Sequence, residues 1–349
     1  MSAVQPPALV LLTGGTGFIG SAILVNLLQK GFSVRAAVRP QSKTTTFHEH
    51  LKDYIDSGKL TFVVIPDMMV PNAFTEAVQG VEGIIHTASP LIPTDPSVEP
   101  EEVIRPAVEI TRYLLEGAAA SPTVKRVVIT SSIAAMYEPH EGKYVYTEND
   151  WFDTAPKIVA QAGINAPGHL KYMASKVLGE RSAWSWVSEN TASFDLVTIL
   201  PAWVWGRDVF SNPETIRSSS SNFYLLNPIS EAISGKLREN QYLSASEFVD
   251  LKDAAEGHVR ALTTPAAGGE RIALKGGLVT WQDVFDLVNA NPIEGVTVPL
   301  GNPGAGKNFT PEKYLLAEKS EKLLGMTYRK PEDALLETIR SGVEFGWKP

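Results

Sequence analysis

The chain has 349 residues, with 31 Lys plus Arg against 39 Asp plus Glu, a formal charge of −8. That balance speaks against a nucleic-acid binder, which needs a basic surface to neutralise phosphates, and a 44% hydrophobic, 20% charged composition excludes disorder, collagen and coiled coil. With no cysteine at all, disulfides, thiolate nucleophiles and Cys-ligated zinc or iron–sulfur sites drop out as well.

Met1 to Ala8 carries no basic cluster, and the first apolar run, Leu9 to Leu12, is too short for a signal-peptide core, so a cytoplasmic protein is expected. That run begins a strand, Leu9 to Thr13, followed by a helical pattern from Phe18 to Lys30 and a strand from Ser33 to Val38. Further strands are predicted at Leu60 to Val64, Gly83 to Thr87, Arg126 to Thr130 and Asp195 to Leu200, with helices near Glu102 to Ala120 and His169 to Glu189. Near-continuous apolar strands alternating with helices imply an α/β fold with a doubly wound parallel sheet, covered on both faces. In such sheets ligands gather beyond the carboxyl ends of the strands. The apolar stretch from Phe194 to Trp205 is broken by Asp195, Thr198 and Pro201 and falls short of the roughly 18 residues needed to cross a bilayer, so no membrane partner is expected. Beyond Pro201 the alternation fades into a polar loop at Ser218 to Asn222, helices around Asp253 to Leu262 and Trp281 to Asn289, and a Gly/Pro-rich stretch from Gly301 to Gly306. Residues 1–200 thus read as a first domain and 201–349 as a smaller substrate-binding lobe, some of whose segments return to the first.

Directly after the first strand stands Thr13-Gly14-Gly15-Thr16-Gly17-Phe18-Ile19-Gly20. Its glycines let the chain turn sharply, let backbone approach a pyrophosphate and let helix pack on strand, while the helix start offers N–H groups and partial positive charge. A strand before it and a helix after it make this a dinucleotide site of the Rossmann kind. At the end of the second strand, where an NAD site places an acid for the ribose hydroxyl, this chain has Arg39, with Arg35 before it and Lys43 after. That charge suits a 2′-phosphate, so NADPH/NADP+ is the expected cofactor. Asp67 and Met68, after the third strand, are candidates for the adenine edge, although Asp67 serves equally well as a turn acceptor.

Tyr172-Met173-Ala174-Ser175-Lys176 sets a phenol and an ammonium four apart, on one face of a helix. A nearby cation favours the phenolate, which would bring a poor acid toward the working range of a general acid–base. The spacing alone says little. Thr130-Ser131-Ser132, at the end of another parallel strand, adds a hydroxyl that can reach the same cleft, where either serine could hold a carbonyl oxygen.

These residues resemble the extended short-chain dehydrogenase/reductases, and most closely the dihydroflavonol-4-reductase group with its yeast methylglyoxal reductase type of NADPH-dependent carbonyl reductase. The likeness runs through the glycine turn, His86-Thr87-Ala88-Ser89-Pro90, Thr130-Ser131-Ser132, Glu148 to Trp151, the Tyr172 and Lys176 pair, Pro201 to Gly206, Phe248 to Asp253 and Lys319 to Gly325. The resemblance implies Ser132, Tyr172 and Lys176 as the catalytic set, Lys176 also bonding the nicotinamide ribose. It implies Gly14, Gly17, Phe18, Ile19 and Gly20 around the pyrophosphate, Arg39 at the 2′-phosphate, and Thr87, Ala88, Thr130, Pro201 and Val204 on the ribose and nicotinamide side. Ser132 over Ser131 rests on that likeness alone.

The expected reaction is reduction of an aldehyde or ketone. Related dehydratases resemble one another in an acidic pair after the catalytic hydroxyl, and this chain has Ile133-Ala134-Ala135 there. A sugar-nucleotide epimerase shares the glycines, and a redox-sensing regulator shares the fold but lacks the Tyr/Lys pair. Ser89, Tyr137, Trp151, Phe152, Trp203, Phe223 and Tyr224 are candidate pocket residues for a mainly apolar carbonyl substrate; each aromatic alone suits an ordinary core equally well. The histidines have no ligand-like spacing, His86 reading as a strand-end hydrogen-bonding group and His169 as a surface residue, so no metal is expected. A small molecule is the expected partner, and monomer and homodimer stay open.

Overall fold

The computed structural model describes residues 3–40, 44–93, 95–210 and 221–349. Among these the strands are β1 (Leu9–Thr13), β2 (Ser33–Val38), β3 (Leu60–Val64), β4 (Gly83–His86), β5 (Arg126–Thr130) and β6 (Tyr144–Tyr146). Then follow β7 (Asp195–Pro201), β8 (Trp203–Trp205), β9 (Ala245–Asp250), β10 (Arg271–Leu274), β11 (Gly277–Thr280) and β12 (Lys313–Leu315). The helices are α1 (Phe18–Gln29), α2 (Thr45–His50), α3 (Lys52–Asp56), α4 (Pro100–Ala120), α5 (Thr154–Ala162) and α6 (Gly168–Glu189). The remaining helices are α7 (Phe223–Ile233), α8 (Leu251–Thr263), α9 (Trp281–Ala290), α10 (Glu318–Leu324) and α11 (Pro331–Glu344).

Seven strands form one parallel sheet in the order β3-β2-β1-β4-β5-β7-β10. Because side chains alternate along a strand, each strand feeds two cores. Val10 and Leu12 of β1, Val128 of β5 and Ile199 of β7 pack with Leu24 and Leu27 of α1 and Val259 and Leu262 of α8. Leu11, Val127, Ile129 and Leu196 face the other way, onto Leu114 and Leu115 of α4 and Ala183 of α6. This double burial is why the strands read as unbroken apolar runs. The chain winds outward from β1 through β2 to β3, then returns to the other side of β1 as β4. The connections that leave the carboxyl ends of β1 and β4 therefore run to opposite sides where strand order reverses, the place where such sheets form a crevice beyond the paired strand ends.

The second lobe is a three-stranded sheet, β11-β9-β8, packed by α7, α9 and α11 through Trp205, Leu226, Ile229, Phe248, Phe285 and Leu335. Only Ala202 separates β7 from β8, so the chain steps from one sheet to the other at Pro201. Two segments beyond residue 201 lie in the first sheet's layers. β10 pairs with Thr198–Pro201, and α8, expected with the second lobe, lies beside α1. The short strands β6 and β12, whose partners Tyr144 and Lys313 are 169 residues apart, pair in parallel as a separate ribbon.

Candidate active site

The glycine turn is shaped by backbone collisions. Gly14 has φ +71, and a Cβ on it would overlap Thr87 Oγ1 and lie 2.7 Å from the Ala88 nitrogen. A Cβ on Gly20 would overlap the Gly14 carbonyl oxygen and lie 2.7 Å from its carbon. Gly17 differs: its missing Cβ would meet only the Gly14 oxygen, at 3.3 Å. Its open side and the start of α1, which has no side-chain cap and no acid in its first turn, leave backbone N–H groups pointing at a cradle that a pyrophosphate fits. A Cβ at Gly20 cannot be relieved by a side-chain shift, because its neighbour is backbone. Gly20→Ala is expected to weaken dinucleotide binding at least about tenfold, on the overpacking scale of about 1–3 kcal/mol, in calorimetric titration with NADPH.

Across the crevice, Thr13 Oγ1 meets His86 Nδ1 at 2.7 Å and Thr87 Oγ1 donates to the Thr13 carbonyl at 2.8 Å. These bonds lock the end of β4 to the end of β1 and present Thr87, Ala88 and Ser89 beside the turn. Burial holds His86 at about 3, with the Lys176 ammonium adding to the depression, so His86 is a neutral hydrogen-bonding group, as its strand-end position implies.

Arg39 is exposed just beyond β2, on the same rim. Arg35 is elsewhere engaged: its guanidinium donates to the Ala77 and Gln79 carbonyls at 2.8 and 2.7 Å and adds nothing to that rim. Lys43 lies outside the described residues. Asp67 accepts from the Met69 nitrogen at 2.7 Å, the turn role, and Met68 packs against the sheet's core.

The glycine-free half of the site hangs on α6. Lys176 Nζ lies 5.4 Å from the Tyr172 ring centroid and donates to Ser89 Oγ at 2.9 Å, so α6 reaches the end of β4 directly. Burial pulls Lys176 down to about 8, with Glu180 opposing. Burial pushes the Tyr172 phenol up to about 12, the Ser132 hydroxyl bonding to it in the opposite sense and Tyr224 adding to the rise. Lys176 is turned to Ser89, and burial outweighs every favourable contact in setting the phenol's proton affinity, so the expected fall toward the working range is not what the structure shows.

The structure also separates the two serines. Ser131 is buried and donates to Glu180 Oε2 at 2.7 Å, while Ser132 faces Tyr172 and accepts from the Ala134 nitrogen at 3.1 Å. Thr130 is committed the other way, its hydroxyl 2.9 Å from His258 Nε2; because the His258 Nδ1 lies 2.7 Å from the Ala254 carbonyl, Thr130 is the donor. Pro201 ends β7, and the Val204 side chain is buried in the core beneath.

Of the aromatic residues, Trp203 and Tyr224 meet at a tilt with ring centroids 4.8 Å apart and Phe223 meets Tyr224 edge-on at 5.5 Å, and Tyr224 is near enough to raise the Tyr172 phenol's proton affinity. Trp203 also lines a cleft of about 310 Å³ with Ile133, Tyr137, Leu278 and Tyr314. Tyr137 donates there to Glu247. Trp151 stands apart, held between the guanidiniums of Arg271 at 3.6 Å and Arg181 at 4.1 Å, and Phe152 is core. A wider hollow of about 450 Å³, at Pro96, Ser97 and Ile164 to Gly168, holds none of these groups.

Two charged residues escaped the sequence argument. Lys171 is fully buried, its ammonium donating to the Pro96, Val98 and Ile164 carbonyls at 3.2, 2.6 and 2.8 Å, which ties the segment after Ser89 to the start of α6. No local pattern announces it. Glu180 was legible, since it continues the four-residue step from Tyr172 and Lys176. Among the described residues no group of three or more His, Asp or Glu side chains is placed to hold a metal, and no helix is long and apolar enough to cross a membrane.

Comparison with known proteins gives a match to the NAD dependent epimerase/dehydratase family over residues 10–274. The ketoreductase adrE of Penicillium rubens is 32% identical over 329 residues, 93% of this chain and 92% of its own. The ketoreductase sphI of Aspergillus fumigatus is 32% identical over 351 residues, covering 97% and 98%. Among solved structures, Gre2 of Candida albicans in complex with NADPH superposes with a TM-score of 0.81 at 28% identity, over 97% of this chain and 100% of that one.

Proposed function

The chain belongs to the NAD dependent epimerase/dehydratase family, as an extended short-chain dehydrogenase/reductase, and we propose that it is an NADPH-dependent reductase of aldehydes and ketones. The observation that carries the reading is a single junction: Ser132 facing Tyr172, Lys176 one turn on, and Lys176 bonded to Ser89 at the edge of the glycine crevice. NADPH held by Gly14, Gly17, Phe18, Ile19 and Gly20, with Thr87, Ala88, Pro201 and Val204 beside its nicotinamide end, would supply the hydride.

The chain's own groups manage the proton. A phenol at about 12 keeps its proton at neutral pH, so Tyr172 enters as the acid form. As negative charge grows on the substrate oxygen, Tyr172 gives its proton to that oxygen and Ser132 holds the oxygen in place. The Lys176 ammonium, anchored by Ser89, then stabilises the phenolate left behind. Trp203, Phe223 and Tyr224 offer the substrate an apolar wall with one phenol, which suits an aryl or alkyl carbonyl compound. The ketoreductase names of two relatives and the NADPH in a related complex support both halves of the reading.

The test is NADPH oxidation with a panel of aryl ketones, α-dicarbonyls and β-ketoesters. Net consumption matched by alcohol is expected. Cofactor that binds and is never oxidised would point to a regulator, and sugar-nucleotide turnover without net consumption to an epimerase. Arg39→Ala is expected to raise the KM for NADPH about tenfold while leaving that for NADH within about twofold, the scale of one charge-assisted contact to phosphate. Equal losses with both cofactors would remove the 2′-phosphate assignment.

A further inference from the structure

The stripe of α6 that holds Tyr172 and Lys176 continues to Glu180, one more turn along the same face. Glu180 is only 3% exposed, yet three strands converge on its carboxylate. Ser131 of the segment after β5 donates to Oε2 at 2.7 Å, Thr198 of β7 to Oε1 at 2.6 Å, and Arg271 of β10 to Oε1 at 2.8 Å. Burying an ion costs several kcal/mol unless its partners are this complete.

We propose that Glu180 is a positioning residue for the reaction: it keeps Lys176 in the charged form and takes the Ser131 hydroxyl, so that Ser132 alone faces Tyr172. The inference rests on the reductase reading of the site. Lys176 is faced by His86 at the end of β4, by Ser89 after it, and by Tyr172 and Glu180 on its own helix, with Arg271 of β10 behind Glu180. His86 at about 3 is neutral and Tyr172 at about 12 is protonated, so Glu180 brings the one negative charge among them. Burial alone would drive the lysine toward the neutral amine, and the carboxylate opposes it. An uncharged amine cannot stabilise a phenolate, so turnover follows the charge of Lys176.

The direction follows. Lys176 titrates near 8, so the wild-type rate declines on the basic side as that proton is lost. In Glu180→Gln the basic limb of the kcat profile is expected about one pH unit lower or more, about a tenfold loss at a pH on that limb, with NADPH affinity at pH 6 within about threefold. Glu180→Asp, which retains the charge, is expected to restore most of the limb. Glutamine leaves Arg271 facing an amide, so Glu180→Gln/Arg271→Met provides a second form in which no buried charge is stranded, and its limb should move the same way. A limb that stays at the wild-type position in the folded variants overturns the proposal. Failure of the wild-type protein to reduce any carbonyl would instead overturn the reaction. In that event NMR titration of 13C-labelled lysine decides: Lys176 should titrate lower without Glu180, and an unchanged titration sinks the inference.

Discussion

Tyr172→Phe is expected to bind NADPH within about twofold of the wild-type protein and to lose on the order of a thousandfold in turnover, about 4 kcal/mol of barrier. The substitution removes one hydroxyl and leaves the ring, whose contacts with Lys176 and the neighbourhood of Tyr224 remain. What disappears is the acid. Ser132 still offers a hydroxyl, but one with no ammonium a turn away to hold the charge once its proton has gone. The affinity should be spared because the cradle for the phosphates lies on β1 and α1, built from Gly14, Gly17 and Gly20. Single-turnover rates alongside binding titrations would separate the two effects, and near-normal turnover would remove Tyr172 from the chemistry.

Arg126→Met is expected to cost about 3–5 kcal/mol of folding stability, read as a lower urea midpoint with an unchanged slope. Arg126 is fully buried at the first position of β5, beside Asp195, its register partner on β7. Its guanidinium forms a paired contact with that carboxylate at 2.6 and 2.9 Å and donates to the Ala261 and Thr264 carbonyls at 2.8 and 2.5 Å. The same side chain thus closes the end of α8 onto the central strands. Methionine fills much of the space but leaves Asp195 and the carbonyls at the end of α8 without their donor. Arg126→Lys should recover part of the loss, since an ammonium can reach one oxygen but cannot match the planar fork.

The parallel sheet was legible because double burial writes itself as apolar runs, and β1, β2, β3 and β5 stand where those runs predict. The glycine turn was legible for a similar reason: Gly14 and Gly20 answer to collisions that any sequence with this turn must avoid. The second lobe was not. Trp203–Trp205 and Gly277–Thr280 are too short to show a period, and β10 joins the first sheet through a register with β7 that no local pattern encodes. Nor can spacing on a helix tell which way a lysine turns; the Ser89 contact of Lys176 depends on where β4 ends. The same holds for Trp151, an aromatic candidate for the pocket that two arginines from separate elements claim. Ser131 and Ser132 look alike in the sequence, and only their surroundings in the fold, Glu180 of α6 bonded to one hydroxyl and Tyr172 facing the other, tell them apart.

The central claim is that hydride and proton meet a bound carbonyl at the junction of the glycine crevice and α6. Its most direct test is to supply NADPH deuterated at one face of C4, then the other, with a ketone the protein consumes, and to read the alcohol by mass spectrometry. Deuterium on the carbinol carbon from one face only, with the transfer lost in Tyr172→Phe, is the predicted result. Alcohol that carries no deuterium from either face, or transfer that proceeds undiminished without the Tyr172 hydroxyl, would contradict the account.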